Sequence, residues 1–403
     1  MTALDVGTST VQVVVAEKKK EGGLQILGTG ASPSYGVRRG VVVDLEDTIS
    51  SIRHALEDAK KAAQVSVRRT WLSIGGSHVS VSSSRGVVAV SRADGEISPE
   101  DVNRAISAAE TFIPKNPNRE IIHMIPRDFR VDHEPGIKNP IGMHGVRLEV
   151  DTLVIDCSTP FLKNLFKCVE GAGLAIEDYV FSPLAASEVV LSKRQKELGT
   201  VLVDIGGGTA SFIVFEEGVP IHAGVFPIGG GHITNDVAIG FRTHVDVAEK
   251  IKLSYGSCFS QEFTKKDAIR LAEFVEGEEA IFSRKELAEI VEARLKDVLE
   301  LLQKDLRRIN RNQLLPAGVV LVGGSSLLPG VVGLAKREMR LPVELGTFQD
   351  LGSEFSPEES LGLATVLGTV RWAENQLAQP SFWGRASRRS QNSFMKWLKS
   401  LLP

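Results

Sequence analysis

The chain is 403 residues long, 42% hydrophobic and 24% charged, a globular composition with room for two or more cores. Its 47 basic against 50 acidic residues leave a net charge of −3, so the whole molecule is not a polyelectrolyte and no nucleic-acid partner is expected. Three cysteines (Cys157, Cys168, Cys258) without a C-x-x-C spacing point away from a disulfide framework or a zinc ribbon and fit a reducing cytoplasm.

Met1 leads straight into an apolar strand rather than a signal peptide, and no stretch approaches the ~18–20 apolar residues of a membrane span. The strand runs through Asp5-Val6-Gly7-Thr8-Ser9-Thr10 into a second apolar run, so a hairpin is expected with its turn set by Gly7. Apolar spacing then predicts a helix over 46–63 and a strand over 70–74 ending at Gly75-Gly76. A separate module begins near Val81. It offers a strand (87–90), a helix capped by Ser98-Pro99-Glu100-Asp101 and two more strands (120–131 and 146–156), together a small α+β insert. A helix over 160–170, a strand over 176–181 and a helix from Pro183 follow.

The chain then restarts. Thr200-Val201-Leu202-Val203-Asp204-Ile205-Gly206-Gly207-Gly208-Thr209 repeats the opening logic of apolar strand, Asp, apolar residue and glycine- or hydroxyl-rich turn. A spacing of about 200 residues reads as a domain duplication rather than a solenoid. Ser283-Arg284-Lys285-Glu286 is a capping box that opens a long helix, and a strand over 319–322 ends in Gly323-Gly324-Ser325-Ser326 with a helix after Pro329. Residues 376–392 read as a linker and 393–402 as a last short helix. Arg385, Arg388, Arg389, Lys396 and Lys399 lie in 376–403 without an acid, so the first 375 residues sum to −8.

A hairpin turn of glycines and hydroxyls can aim several backbone N–H groups at one phosphate. The Asp before each turn, Asp5 or Asp204, would face a magnesium ion that keeps most of its waters. Gly323 and Gly324 offer a surface without side chains to a flat base. Glu249 and Lys252, three apart on one helical face, suit the hydroxyls of a nucleoside. Taken singly, each feature also reads as an ordinary turn or a solvated ion pair; the ordered set is what is specific.

This order resembles the superfamily of actin, the heat-shock chaperone ATPases and the sugar kinases. The resemblance implies an α/β, actin-like two-domain fold that holds ATP and Mg²⁺ between related halves. Position by position it implies Asp5 and Asp204 for the hydrated metal. It assigns Gly7, Thr8, Ser9, Thr10, Gly206, Gly207, Gly208 and Thr209 to phosphate, Glu249 and Lys252 to ribose or adenine, and Gly323, Gly324 and Ser326 to the base. Residues 183–190 and 360–370 would be the two connecting helices, with Ala185, Ala186, Gly362 and Ala364 allowing a close crossing. One position departs from the pattern: Ser182 stands where active hydrolases carry a Gln or Glu that orients water, so at most a slow ATPase is expected.

Ile125–Asp132 and Gly136–Glu149 are more particular than the ATP loops, and they resemble the inserted subdomain of the FtsA family of bacterial cell-division proteins. That resemblance implies 1–80 with 158–198 and 358–375 as subdomain 1A, 81–157 as the inserted 1C, 199–232 with 309–357 as 2A and 233–308 as 2B. It further implies self-assembly into filaments at the septal inner membrane, recruitment of later division proteins and tethering of FtsZ, whose C-terminal peptide would meet 2B. Arg294 is the candidate for that acidic peptide.

At ~100° per residue, Phe394, Met395, Trp397, Leu398, Leu401 and Leu402 fall on one continuous arc of ~160°. Ten residues span only ~15 Å, too short to cross a bilayer, so the tail reads as an amphipathic helix lying on anionic lipid. Lys396 and Lys399 lie opposite the apolar arc, and the linker arginines add attraction to anionic lipid. A sugar kinase would need a catalytic carboxylate that no motif identifies, and a chaperone would need a substrate domain beyond residue 375. An MreB-like filament is the structural runner-up, against which the insert argues.

Overall fold

The computed structural model describes residues 1–378 apart from 20–22, 115, 265, 276 and 349–356. Thr2–Val6 is largely buried because it lies mid-sheet, paired with Thr10–Lys18 on one side and with Arg69–Ile74 on the other. The sheet order is Ala175–Phe181, Arg69–Ile74, Thr2–Val6, Thr10–Lys18, Leu24–Pro33: three antiparallel strands continued by two parallel ones.

The second half repeats this connectivity. Its order is Val343–Leu345, Val319–Val322, Thr200–Ile205, Ala210–Glu216, Val219–Phe226, again an antiparallel meander extended by two parallel strands. The third strand of each half, Leu24–Pro33 and Val219–Phe226, is not among the elements read from sequence. Their glycines, prolines and part-exposed positions hide the alternation that marks a strand. Helix Leu45–Ala63 packs on the edge strand Leu24–Pro33 and its neighbour Thr10–Lys18. Pro357–Ala378 packs on the three middle strands of the first sheet and against Ser182–Val190.

Those two helices are the expected connecting pair. Their close crossing occurs at Gly368, where a Cβ would stand 2.1 Å from the Ala185 carbonyl oxygen. Gly362, expected at the crossing, has open space beside it and borders the cleft instead. The helix continues to Ala378, three residues into the segment read as a linker. The rest of that linker and the tail helix, with Phe394, Met395, Trp397, Leu398, Leu401 and Leu402, lie outside the described residues. Among the described residues no helix is long and apolar enough to cross a membrane.

The insert forms a sheet of its own, ordered Val79–Ala89, Arg147–Ser158, Arg119–Val131, Glu134–Ile137, covered by helix Pro99–Thr111. Ser98 and Asp101 cap that helix reciprocally, as the sequence suggests. Its separate core gathers Ile97, Val102, Ala105, Phe129, Leu148 and Val150. The first strand begins eight residues before the predicted one. Ser80-Val81-Ser82-Ser83-Ser84-Arg85 is too polar to read as a strand, yet it pairs in register from Val79–Cys157 to Ala89–Arg147. Beside the second sheet a smaller lobe holds helices Gly230–Gly240, Val245–Tyr255 and Arg284–Arg308 with the ribbon Ala268–Arg270 and Ile281–Ser283. Ser283 accepts from the Glu286 N–H at 3.3 Å, starting the long helix where the capping box places it.

Candidate functional site

A cavity of about 560 Å³ lies between the two halves, within the ~300–1,000 Å³ usual for small-molecule sites. The hairpins of the two sheets form its floor from opposite sides. Val6 pairs with Val11 and Ile205 with Ala210, so each turn holds four residues. Each turn closes the same way: the Gly7 N–H donates to the Thr10 carbonyl at 3.1 Å, and the Gly206 N–H to that of Thr209 at 2.9 Å.

The turns meet. A Cβ on Gly208 would lie 2.5 Å from Thr8 Oγ1 and 2.9 Å from Thr8 Cβ, and one on Gly207 would lie 1.8 Å from Ser9 Oγ. Glycine is therefore required in the second turn by the side chains of the first. Helix Gly230–Gly240 braces the second turn from behind, its Gly230 and Gly231 N–H groups donating to the Gly206 and Gly207 carbonyls at 2.9 and 2.7 Å. With those carbonyls held back, the N–H groups of Thr8, Ser9, Gly207, Gly208 and Thr209 find no acceptor among the described residues. A cluster of unspent donors around one cavity is a cradle for anionic oxygens.

Asp5 and Asp204 border the same cavity. The Ser73 hydroxyl donates to Asp5, and the Thr365 hydroxyl donates to Asp204 Oδ2 at 3.2 Å. Burial pushes the Asp5 carboxyl upward. Burial, with the nearby Asp5 charge second, pushes Asp204 up to about 6. Neither carboxylate has a cationic side chain as partner among the described residues. A hydrated divalent cation would relieve this, and the residues present fit one. No group of three or more His, Cys, Asp or Glu side chains able to hold a metal ion forms among the described residues.

At the other end Lys252 is buried and donates to Glu249 Oε2 at 2.7 Å, Thr234 Oγ1 at 2.9 Å and the Gly230 carbonyl at 3.3 Å. Glu249 also accepts from the Thr234 hydroxyl, so the pair fixes the start of helix Gly230–Gly240 as well as bordering the cavity. Gly323 and Gly324 border it too. Gly323 has φ of 88°, and a Cβ there would strike Asp204 Oδ1 at 2.3 Å.

Every residue expected at the nucleotide lines this cavity except Ser326. Ser326 is buried and turns its hydroxyl back onto the Val322 carbonyl; its neighbour Ser325 lines the cavity instead, its Oγ 3.5 Å from the Gly206 carbonyl. Ser182 borders the cavity at the first turn of its helix. Arg294 lies in the smaller lobe, bonded to Asp236 at 2.7 Å and to Asp297 at 3.0 Å. Sequence reasoning missed Gly40, Gly75, Gly76, Gly230, Gly231, Leu253 and Thr365 as lining residues. The run Gly229-Gly230-Gly231 was the signal available for two of them.

Comparison with known proteins supplies the family. The profile described as cell division protein FtsA matches residues 201–368, and that of the SHS2 domain inserted in FtsA matches 76–156. The cell division protein FtsA of Pseudomonas aeruginosa is 37% identical over 86% of this chain and 82% of its own length. Among solved structures, the PilM-PilN type IV pilus biogenesis complex aligns at TM-score 0.64 and 16% identity over 92% of this chain and 97% of that one. MreB 5 of Spiroplasma citri bound to AMPPNP aligns at 0.54 and 12% over 94% and 98%. The fold is thus actin-like α/β, interrupted by an SHS2 subdomain.

Proposed function

The chain belongs to the FtsA family of cell-division proteins, and from that premise we propose that it is an ATP-dependent filament protein that ties the division machinery to the membrane. The observation that carries the nucleotide part is that five N–H groups without an acceptor among the described residues and two carboxyls whose pKa burial raises border one cavity. Thr8, Ser9, Gly207, Gly208 and Thr209 hold the phosphates; Asp5 and Asp204 hold the waters of Mg²⁺. The bound ion would supply the positive charge that lets a polyanion enter a cavity bordered by more acids than bases. The AMPPNP bound by MreB 5, which shares this fold, supports a nucleoside triphosphate as the ligand.

Ser182 offers a hydroxyl where a carboxylate or amide would position water, so the bound nucleotide acts chiefly to hold the two halves closed and turnover stays below about one per second. Closed subunits assemble with one another, and the insert receives later division proteins. The FtsZ C-terminal peptide docks on the smaller lobe, where reaching Arg294 requires displacing Asp236 or Asp297. The apolar arc of 393–403 with its flanking arginines settles on the cytoplasmic face of the inner membrane at the septum. One such foot binds weakly, and a filament multiplies it.

Co-sedimentation tests the reading: the full chain with vesicles containing anionic lipid, with and without MgATP and an FtsZ C-terminal peptide. Pelleting that requires ATP and 393–403 and carries the peptide along is expected. Pelleting unchanged by Trp397→Glu would overturn the membrane foot, and calorimetry without heat from MgATP would overturn the nucleotide site.

A further inference from the structure

The cavity described above is short of positive charge. Asp5, Asp204 and Glu249 border it against one cation among the described lining residues, Lys252, which is already spent on Glu249. A triphosphate keeps a net negative charge even with one divalent ion bound, so a further cation at its outer end has work to do.

The small hairpin Val37–Arg38 with Val41–Val42 turns through Arg39 and Gly40, whose φ values of 51° and 72° are those of a tight two-residue turn. Its tip is fixed to the cavity rim. The Gly40 N–H donates to Thr8 Oγ1 at 2.9 Å, and the Arg39 carbonyl accepts from the Ser77 N–H at 3.2 Å. A Cβ on Gly40 would stand 2.4 Å from Gly76 Cα, so the two backbones touch. Gly40, Gly75, Gly76 and Ser182 all line the cavity, Gly40 against Gly76 and Gly75 against Ser182. Arg39 precedes the lining residue Gly40 and is itself outside the residues that line the cavity; its side chain is exposed and has no hydrogen-bond or ion-pair partner among the described residues. It comes from the first half, yet its charge helps burial depress His232, on the helix that braces the turn of the second half.

We infer that Arg39 faces the terminal phosphate of the bound nucleotide across the cleft and thereby sets the preference for a triphosphate over a diphosphate. This deepens the nucleotide reading and rests on it. A charge-assisted contact to a phosphate oxygen made only by the triphosphate predicts a selective loss on its removal.

Calorimetric titration with MgATP and MgADP of the wild-type chain, Arg39→Gln, Arg39→Lys and the charge-matched control Arg38→Gln tests it. Arg39→Gln is expected to weaken MgATP about tenfold or more and to leave MgADP within about twofold. Arg39→Lys should retain part of the preference and Arg38→Gln all of it. Thermal midpoints without nucleotide should match, since the side chain has no partner to lose. An unchanged ratio in Arg39→Gln, equal weakening of both nucleotides, or an equal loss in Arg38→Gln overturns the inference while leaving the site intact. A wild-type chain that binds neither nucleotide overturns the site reading itself, and the inference with it.

Discussion

The two hairpin turns share register and closing hydrogen bond but differ in chemistry. The first is Gly7-Thr8-Ser9-Thr10 and the second Gly206-Gly207-Gly208-Thr209. The first carries side chains into the cleft, and the second removes them. Where Thr8 and Ser9 project, Gly208 and Gly207 leave the space they enter. Two halves of like connectivity cannot both carry side chains at these positions, because a Cβ at Gly207 or Gly208 would overlap Ser9 or Thr8. One half became the knob and the other the socket, while the backbone donors were kept in both.

Breaking that complementarity should have the largest effect. Gly208→Val drives a branched side chain into both arms of Thr8 and should lower MgATP affinity by about a hundredfold or more. The double change with Thr8→Gly should recover part of it, and equal loss in single and double variants would show that the contact is irrelevant.

The two carboxylates sharpen the comparison next. Asp204 takes up a proton as pH falls through about 6, so Mg²⁺-dependent nucleotide binding should weaken about tenfold per unit below that value. The same raised pKa means that the ionised form is disfavoured by folding, a cost present above about pH 6 and relieved below the usual carboxylate range. Asp204→Asn should therefore abolish the Mg²⁺ dependence while stabilising the nucleotide-free chain by ~1–2 kcal/mol at pH 7, read as a higher unfolding midpoint. A lower midpoint would refute the electrostatic account.

Ser182→Gln should raise phosphate release by about tenfold at saturating MgATP; no rise would mean that this position does not govern the attacking water. The smallest effect is expected at Ser326. Its hydroxyl is spent on the Val322 carbonyl, so Ser326→Ala should keep MgATP affinity within about twofold. A larger loss would return Ser326 to the site.

Much of this architecture was legible in the chain. The repeated strand-Asp-turn segments near Asp5 and Asp204 reported the like connectivity of the two sheets, because a glycine-rich turn between apolar runs marks a hairpin locally. The capping residues Ser98 and Ser283 marked their helices because a side chain that satisfies a free N–H does so locally. Polar strands escaped: 79–86 is a strand because Arg147–Ser158 pairs with it, and no residue inside it announces that. The third strands of both sheets escaped likewise.

The sequence by itself determined the two turns, the two acids and the lengths of chain between them, since those depend on φ preference, charge and local periodicity. Only the tertiary structure decided that Ser325 rather than Ser326 meets the cavity, that Gly368 rather than Gly362 makes the helix crossing, and that a surface hairpin delivers Gly40 to Thr8. Each of those depends on which face an element turns toward a neighbour more than thirty residues away, and local pattern carries no record of that distance.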